Sequence, residues 1–551
     1  MFISGYVANI STGELEPGGI EINEQEGRII RRCRADSCDP CAILPGFVDA
    51  HIHIESSMLL PSRFAAAALL HGTLAAVCDP HEIANVLGAA GIRALIADGA
   101  QSPFIFSFGV PSCVPATEWE PGGAVIGVDE VRTLLNEDRL GFLGEVMNFP
   151  GVLSGDPELS MKIALAKEAG IPIDGHAPGL SGAALRQYIN AGITTDHECS
   201  GAEEALEKIS AGMRIQIREG SAARNFEALL PVLMQAPEHC MFCSDDLHCD
   251  ALFAGHINLL AARALWAGVP LKTILHAASV LPITHYRLPL GLLRAGDSAD
   301  FIILDYPLTE VRVREAWMRG KCVAKNGVYL GELSPVQAIN SFREITISES
   351  DLAVVLPSDQ TAQCTARVIE LTDGQLLTGA SEAKLRVCDG QVLADPERDI
   401  LKLTVVGRYP REETLPPALA FVHGFGLRDG AIASSVAHDA HNIIAVGSSD
   451  AAIARAINLI AENHGGIAAC GGGREHILPL PFGGLMTLLD CASAAAELQT
   501  LEAFARNELK SALTTPFMTL SFLALLVIPK LKLGERGLFD GEAFEFVSCV
   551  Q

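Results

Sequence analysis

The sequence lacks long hydrophobic runs and any surplus of positive charge, and each absence removes a class of partner. Its 551 residues carry 40 Lys and Arg against 66 Asp and Glu, a formal net charge of −26. Nucleic acids and anionic membrane surfaces need clustered Lys and Arg, so neither is an expected partner. The longest apolar run near the end, LSFLALLVIP at 520–529, is too short to span a bilayer. The N-terminal text MFISGYVANISTGELEPGG has no basic region followed by an apolar core and a cleavage site. The 15 cysteines are therefore expected as reduced thiols of a cytoplasmic protein, not as a disulfide scaffold. Cys33, Cys38 and Cys41 crowd into CRADSCDPC, but no complementary second pair lies near them, and a cysteine-rich loop is expected. Cys240 and Cys243 sit on an apparent strand, where their spacing sends them to opposite faces as packing residues.

Motifs are missing too. No Gly-x-Gly-x-x-Gly follows the first strand of the central region, as a dinucleotide site would require. The Gly-rich CGGGREH at 470–476 lacks the Lys-Ser/Thr of a phosphate loop and reads as a turn.

What is present is a chain of ordinary globular composition, 49% hydrophobic and 19% charged, long enough for roughly three or four domains. Short apolar runs alternate with Ala- and Leu-rich helical text between about residues 45 and 285. The strand candidates are 43–53, 72–82, 104–113, 140–148, 171–179, 192–199, 214–221 and 240–246. Eight βα repeats over this length predict a (β/α)8 TIM-type barrel in an α/β chain. A doubly wound sheet usually has fewer strands. Residues 1–44 and 286–340 read as strands from either side of the barrel that form one small β-sandwich domain. Residues 341–551 form a C-terminal α+β domain.

Nearly every strand candidate is apolar at its start and polar at its end, which is the active-site face of such a barrel. In PGFVDAHIHIESSM (45–58), His51 and His53 are two apart, so a strand aims both imidazoles into one space. Later strand ends add Glu145, His176, His197 and, from the adjacent pair Asp245 and Asp246, the first acid, Asp245. Imidazole with carboxylate suits divalent ions such as zinc, iron and manganese. Six ligands suffice for two ions if Glu145 bridges them, and such a pair activates water at neutral pH.

These residues resemble the amidohydrolase superfamily, and within it the adenine deaminases. VCDPHEIANVLG, VPSCVPATE, GEVMNFPGV, DGHAPGLSG, TTDHECS, FCSDDLH and VAHDAHNIIAVG carry the likeness alongside the opening stretch. It runs on through LPLPFGGLM and FLALLVIPKLKLGERGLFD, nearly the whole chain. The resemblance implies hydrolysis of adenine to hypoxanthine and ammonia, with a metal-bound hydroxide attacking C6. It implies a binuclear centre, of manganese foremost or of iron or zinc, and a homo-oligomer. Asp245 would take the proton of the water and pass it to the leaving amine. The Glu that follows the fifth-strand His in many barrel deaminases is absent here, leaving Glu55, Glu198 and His81 as candidates to protonate the ring. Glu120, Asp246, His438 and His441 are candidates to bind the purine. The alternatives are a deaminase of another 6-aminopurine or a cyclic amide hydrolase of the dihydroorotase or hydantoinase kind. The latter bridge their metals with a carboxylated Lys where this chain has Glu145. A cytidine-deaminase-type site is excluded, because no P-C-x-x-C follows the HIE at 53–55.

Overall fold

The computed structural model of the chain describes residues 1–356, 362–412 and 414–551. Its central region is a ring of eight strands. They are β1 (Phe47–Ile52), β2 (Thr73–Cys78), β3 (Ile105–Val110), β4 (Phe142–Val146), β5 (Ile173–Gly175), β6 (Thr195–Asp196), β7 (Arg214–Arg218) and β8 (Cys240–Cys243). β1 to β5 pair in sequence and in parallel, as do β6 to β8. The Thr194 N–H donates to the Ile173 carbonyl at 2.9 Å, joining β5 to β6. The Asp245 N–H donates to the His51 carbonyl at 2.9 Å and closes β8 onto β1. This is the barrel that eight βα repeats predict.

Period-two alternation sorts the strand residues. Val48, Ala50, Ala75, Val77, Met241 and Cys243 pack with Leu281 and Ile283 in one apolar cluster. Asp49 points away from this cluster, to Ser244 and His256, and a register shift between Asp49 and Ile52 separates its facing from that of His51. Several strands are shorter than their apolar text, since β5 has three residues and β6 two. Polar residues such as His176 and His197 follow at once and leave the ladder for the loops.

Strands from both flanks of the barrel join one eight-stranded sheet. Phe2–Ala8, Leu15–Asn23, Arg28–Arg34 and Cys41–Pro45 come from before it, and Phe301–Asp305, Val313–Met318, Lys321–Lys325 and Val328–Tyr329 from after it. Cys41–Pro45 pairs antiparallel with Phe301–Asp305, which unites the two groups. Cys33, Cys38 and Cys41 are free thiols. Cys240 and Cys243 are buried on β8.

By its contacts the chain divides into two compact units. The first holds the barrel and the flanking sheet. The second takes residues 337–551 and, from the text between barrel strands, 82–91 and 114–125. Its frame is a ten-stranded sheet against which the helix Asp450–Glu462 buries Ile453, Ile457 and Ile460. The helix after β2 (His81–Gly99) is interrupted at Gly88, whose φ of 60° and ψ of −148° are open to glycine and costly for other residues.

At the β8–β1 seam, side chains replace much of the missing ladder. Fully buried Asp49 accepts from the Ser244 N–H at 3.0 Å, from the Ser244 hydroxyl, from His256 Nε2 at 2.8 Å and from the His51 N–H at 3.3 Å. Asp49→Ala leaves these buried donors unsatisfied and should lower the unfolding free energy of metal-free protein by about 3 kcal/mol or more. Urea denaturation measures it. An unchanged midpoint would mean that backbone contacts alone hold the seam.

Candidate metal centre

His51 and His53 lie at the end of β1, and both are buried. His53 Nδ1 donates to the Asp79 carbonyl at 3.0 Å. That fixes the tautomer and leaves the Nε2 lone pair for a ligand, the usual second partner of a metal-binding imidazole. Asp245, at φ 58° just past β8, turns its carboxylate back toward them. Its Oδ1 lies 3.5 Å from His51 Nε2 and 3.3 Å from His53 Nε2.

Glu145 enters from β4. Its N–H donates to Asp79 Oδ2 at 2.9 Å. Gly144 makes this possible, because a Cβ there would sit 2.5 Å from the Asp79 carboxylate. Glu145 Oε1 faces His53 Nε2 at 3.5 Å, while Oε2 faces His176 Nδ1 at 2.9 Å and His197 Nε2 at 3.1 Å. One carboxylate thus addresses both imidazole pairs. The six residues expected to bind metal are brought together in the first unit.

The residues present fit two ions. Ligand atoms each about 2.1 Å from a shared ion stand about 3.0–3.4 Å apart at tetrahedral or octahedral angles, close to the 2.9–3.5 Å of these contacts. Both ring nitrogens of His51, Nδ1 of His197 and Oδ1 of Asp79 are buried and make no hydrogen bond. Buried polar atoms are rarely left so in a finished site. Burial pushes His51 below its ordinary pKa. Burial also opposes ionisation of Glu145, but His176 and His197 hold it well below the carboxylate range. Asp245 behaves alike, against its burial, because of Arg218.

The remaining candidates divide. Glu55 is buried in the turn Ile54–Ser57 after β1. His81 Nδ1 lies 3.6 Å from Asp79 Oδ2 and 3.7 Å from Glu145 Oε1, with its ring against His53. Glu198 forms a forked pair with Arg218, 2.5 and 2.9 Å. Asp246 accepts from the Ser56 hydroxyl at 2.6 Å. Sequence reading passed over Arg218 and Asp79. The signal for the first was present, since Arg214, Gln216 and Arg218 occupy alternate positions of one barrel strand.

Glu120, His438 and His441 belong to the second unit. His438 Nδ1 lies 2.7 Å from Glu82 Oε1, and His441 Nε2 bonds Glu82 Oε2. The Ala437 N–H donates to His441 Nδ1 at 3.2 Å, so Nδ1 carries the lone pair and Nε2 the proton. His441 therefore donates to Glu82 and is not posed as a ligand, although these three residues could by composition hold an ion. Burial pushes its pKa down to about 4. Glu120 is buried, accepting from Thr117 Oγ1 at 3.0 Å and the Leu526 N–H at 3.2 Å. Burial, with Asp439 adding to it, raises its carboxyl to about 8.

Comparison with known proteins finds matches along nearly the whole chain. The profile of the Amidohydrolase family matches residues 42–344, and that of the adenine deaminase C-terminal domain matches 375–545. An adenine deaminase of Salinibacter ruber is 49% identical over 545 residues, covering 99% of this chain and 98% of that one. One from Methanosarcina mazei is 47% identical over 537 residues, covering 96% of each, and one from a Sulfurovum species is 47% identical over 548, covering 99% of each.

Two measurements check the site. Replacing His51 and His53 together by Ala should lower bound divalent metal from about two ions per chain to about one or fewer, read by elemental analysis after dialysis. Two ions retained would place the centre elsewhere. The second concerns Glu120, which titrates near 4.5 when unfolded and about 8 when folded. Between those values the folded state keeps a proton that the unfolded state has lost, so this group's contribution to stability falls as pH rises from about 4.5 to 8. Glu120→Gln removes that dependence, and its melting temperature relative to the parent should climb from pH 5 to pH 8. A flat difference would contradict the buried, protonated state.

Proposed function

The chain belongs to the adenine deaminase family of amidohydrolases, and from that membership we propose that it hydrolyses adenine to hypoxanthine with release of ammonia. The observation that carries the reading is the Glu145 carboxylate, shared between His53 on one side and His176 and His197 on the other, with His51 and Asp245 completing the first group. His51, His53 and Asp245 would hold one divalent ion and His176 and His197 a second, with Glu145 between them; manganese, iron and zinc all accept such ligands. Bound there, the ions would activate water and polarise the carbon under attack.

The chain's own groups then manage protons. Asp245 takes one from the water that adds to C6 and delivers it to the departing amine, so that ammonia leaves as the C6–N bond breaks. A ring nitrogen must be protonated as aromaticity is lost. Glu55, Glu198 and His81, the last beside Glu145, are the candidates for that task. Glu120, protonated near neutral pH, offers an O–H donor and a carbonyl acceptor, a match for the paired N–H and N of a purine edge. Asp246 and His438 stay candidates for substrate recognition, and His441, with Nδ1 taken by the Ala437 N–H and Nε2 by Glu82, would contribute by orienting Glu82. A cytoplasmic location and self-association belong to the same proposal.

The test is ammonia release from adenine by Mn²⁺-loaded protein, beside the His51→Ala, His53→Ala variant and a chelator-stripped sample. Activity should fall by about 10³-fold or more in both. A folded, metal-loaded protein that leaves adenine untouched would sink the substrate assignment, and dihydroorotate and hydantoin would be tried next.

A further inference from the structure

We propose that Arg218 is a positioning residue that withholds Glu198 from the second metal position and so keeps a coordination site there open. The proposal rests on the deaminase reading. Arg218 ends β7, a strand without a candidate ligand that lies between β6 and β8. Its neighbour on the same face, Gln216, donates to the Ala50 carbonyl at 2.8 Å and to the Tyr286 hydroxyl at 3.0 Å inside the barrel.

The guanidinium holds two carboxylates at once. Nη1 and Nη2 donate to Glu198 Oε1 and Oε2 at 2.5 and 2.9 Å, and Nη1 also donates to Asp245 Oδ2. With Oδ2 occupied, Oδ1 is the Asp245 oxygen that faces His51 and His53. Glu198 is the sharper case. Its Oε1 lies only 3.3 Å from His197 Nε2 and 3.7 Å from His176 Nδ1, and these three residues by themselves could enclose an ion. Released from the fork, Glu198 would become a further ligand and fill the position that a catalytic site leaves for water or substrate.

Electrostatics explains why the pair is kept whole. An always-charged guanidinium, 9% exposed, would repel divalent ions nearby. The bidentate Glu198 cancels that charge, so Arg218 can steer Asp245 without weakening metal binding.

The two partners therefore predict opposite effects. Arg218→Lys keeps a cation but loses the fork. Metal loss to excess EDTA, followed by the visible spectrum of Co²⁺-loaded protein, should slow by about tenfold as Glu198 joins the ion, and kcat should fall by about 10²-fold with KM changed less than about threefold. Glu198→Gln leaves the guanidinium unneutralised and should speed metal loss by about tenfold. Metal loss in Arg218→Lys at or above the parent rate, or unchanged or slower loss in Glu198→Gln, overturns the proposal. Should Arg218→Lys fail to fold, the Glu198→Gln rate decides alone. If the parent does not deaminate adenine, the functional reading fails while the two metal-loss rates still judge Arg218.

Discussion

With imidazoles facing both of its oxygens and 3% of its surface exposed, the Glu145 carboxylate sets the charge problem that the upper half of the barrel must solve. Carboxylates of this kind are costly to bury unless strong positive partners stand close. Glu145, Asp245 and Glu198 share one space, and among the described residues Arg218 is the permanent cation that hydrogen-bonds within that group. Its charge is already spent on Glu198. The balance must come from protonated histidines or from divalent ions: against their burial, the neighbouring carboxylates raise His53, His176 and His197, burial lowers His51, and the two unbonded nitrogens of His51 fit ions. Asp79 makes the arrangement rigid. Its carbonyl fixes the His53 tautomer and its carboxylate fixes the Glu145 backbone, so one residue past β2 orients both.

Much of this was legible in sequence because it rests on local periodicity. His51 and His53 share a face because strands alternate, and the eight polar strand ends declare a barrel mouth because parallel barrels open their loops on one side. Asp245 was separable from Asp246 by its place directly after the apolar strand. Arg218 was harder, since its meaning depends on Glu198 and Asp245, 20 and 27 residues away, on strands whose adjacency appears only when the ring closes. Glu82 was hidden for a similar reason, as its partners lie 356 and 359 residues further on. The grouping of 82–91 and 114–125 with the C-terminal region had no signal in composition either, because those segments read as ordinary helix and loop between barrel strands.

The choice between deamination and cyclic amide hydrolysis turns on the bridging position. A carboxylated Lys there would need a long, flexible stem and room for it. Glu145 instead follows a glycine pressed against Asp79 and reaches both imidazole pairs with a short side chain. A bridge at this position would need no covalent modification. A barrel kept only as a scaffold would have no reason to bury this many ionisable groups with unsatisfied nitrogens, since each lowers stability unless a ligand compensates it.

The two histidine clusters of this chain show how little residue type alone decides. Glu145 with His176 and His197 and Glu82 with His438 and His441 have the same composition. In the first, His176 Nδ1 and His197 Nε2 stand 2.9 and 3.1 Å from one Glu145 oxygen, distances that an ion would fill. In the second, a backbone N–H already occupies Nδ1 of His441, which forces its proton onto Nε2 and commits that nitrogen to Glu82. A metal entering there would have to displace a proton that the backbone holds in place. The backbone bond to the far side of His441, more than the identity of the donors, separates a cluster that locks a carboxylate from one that can bind metal.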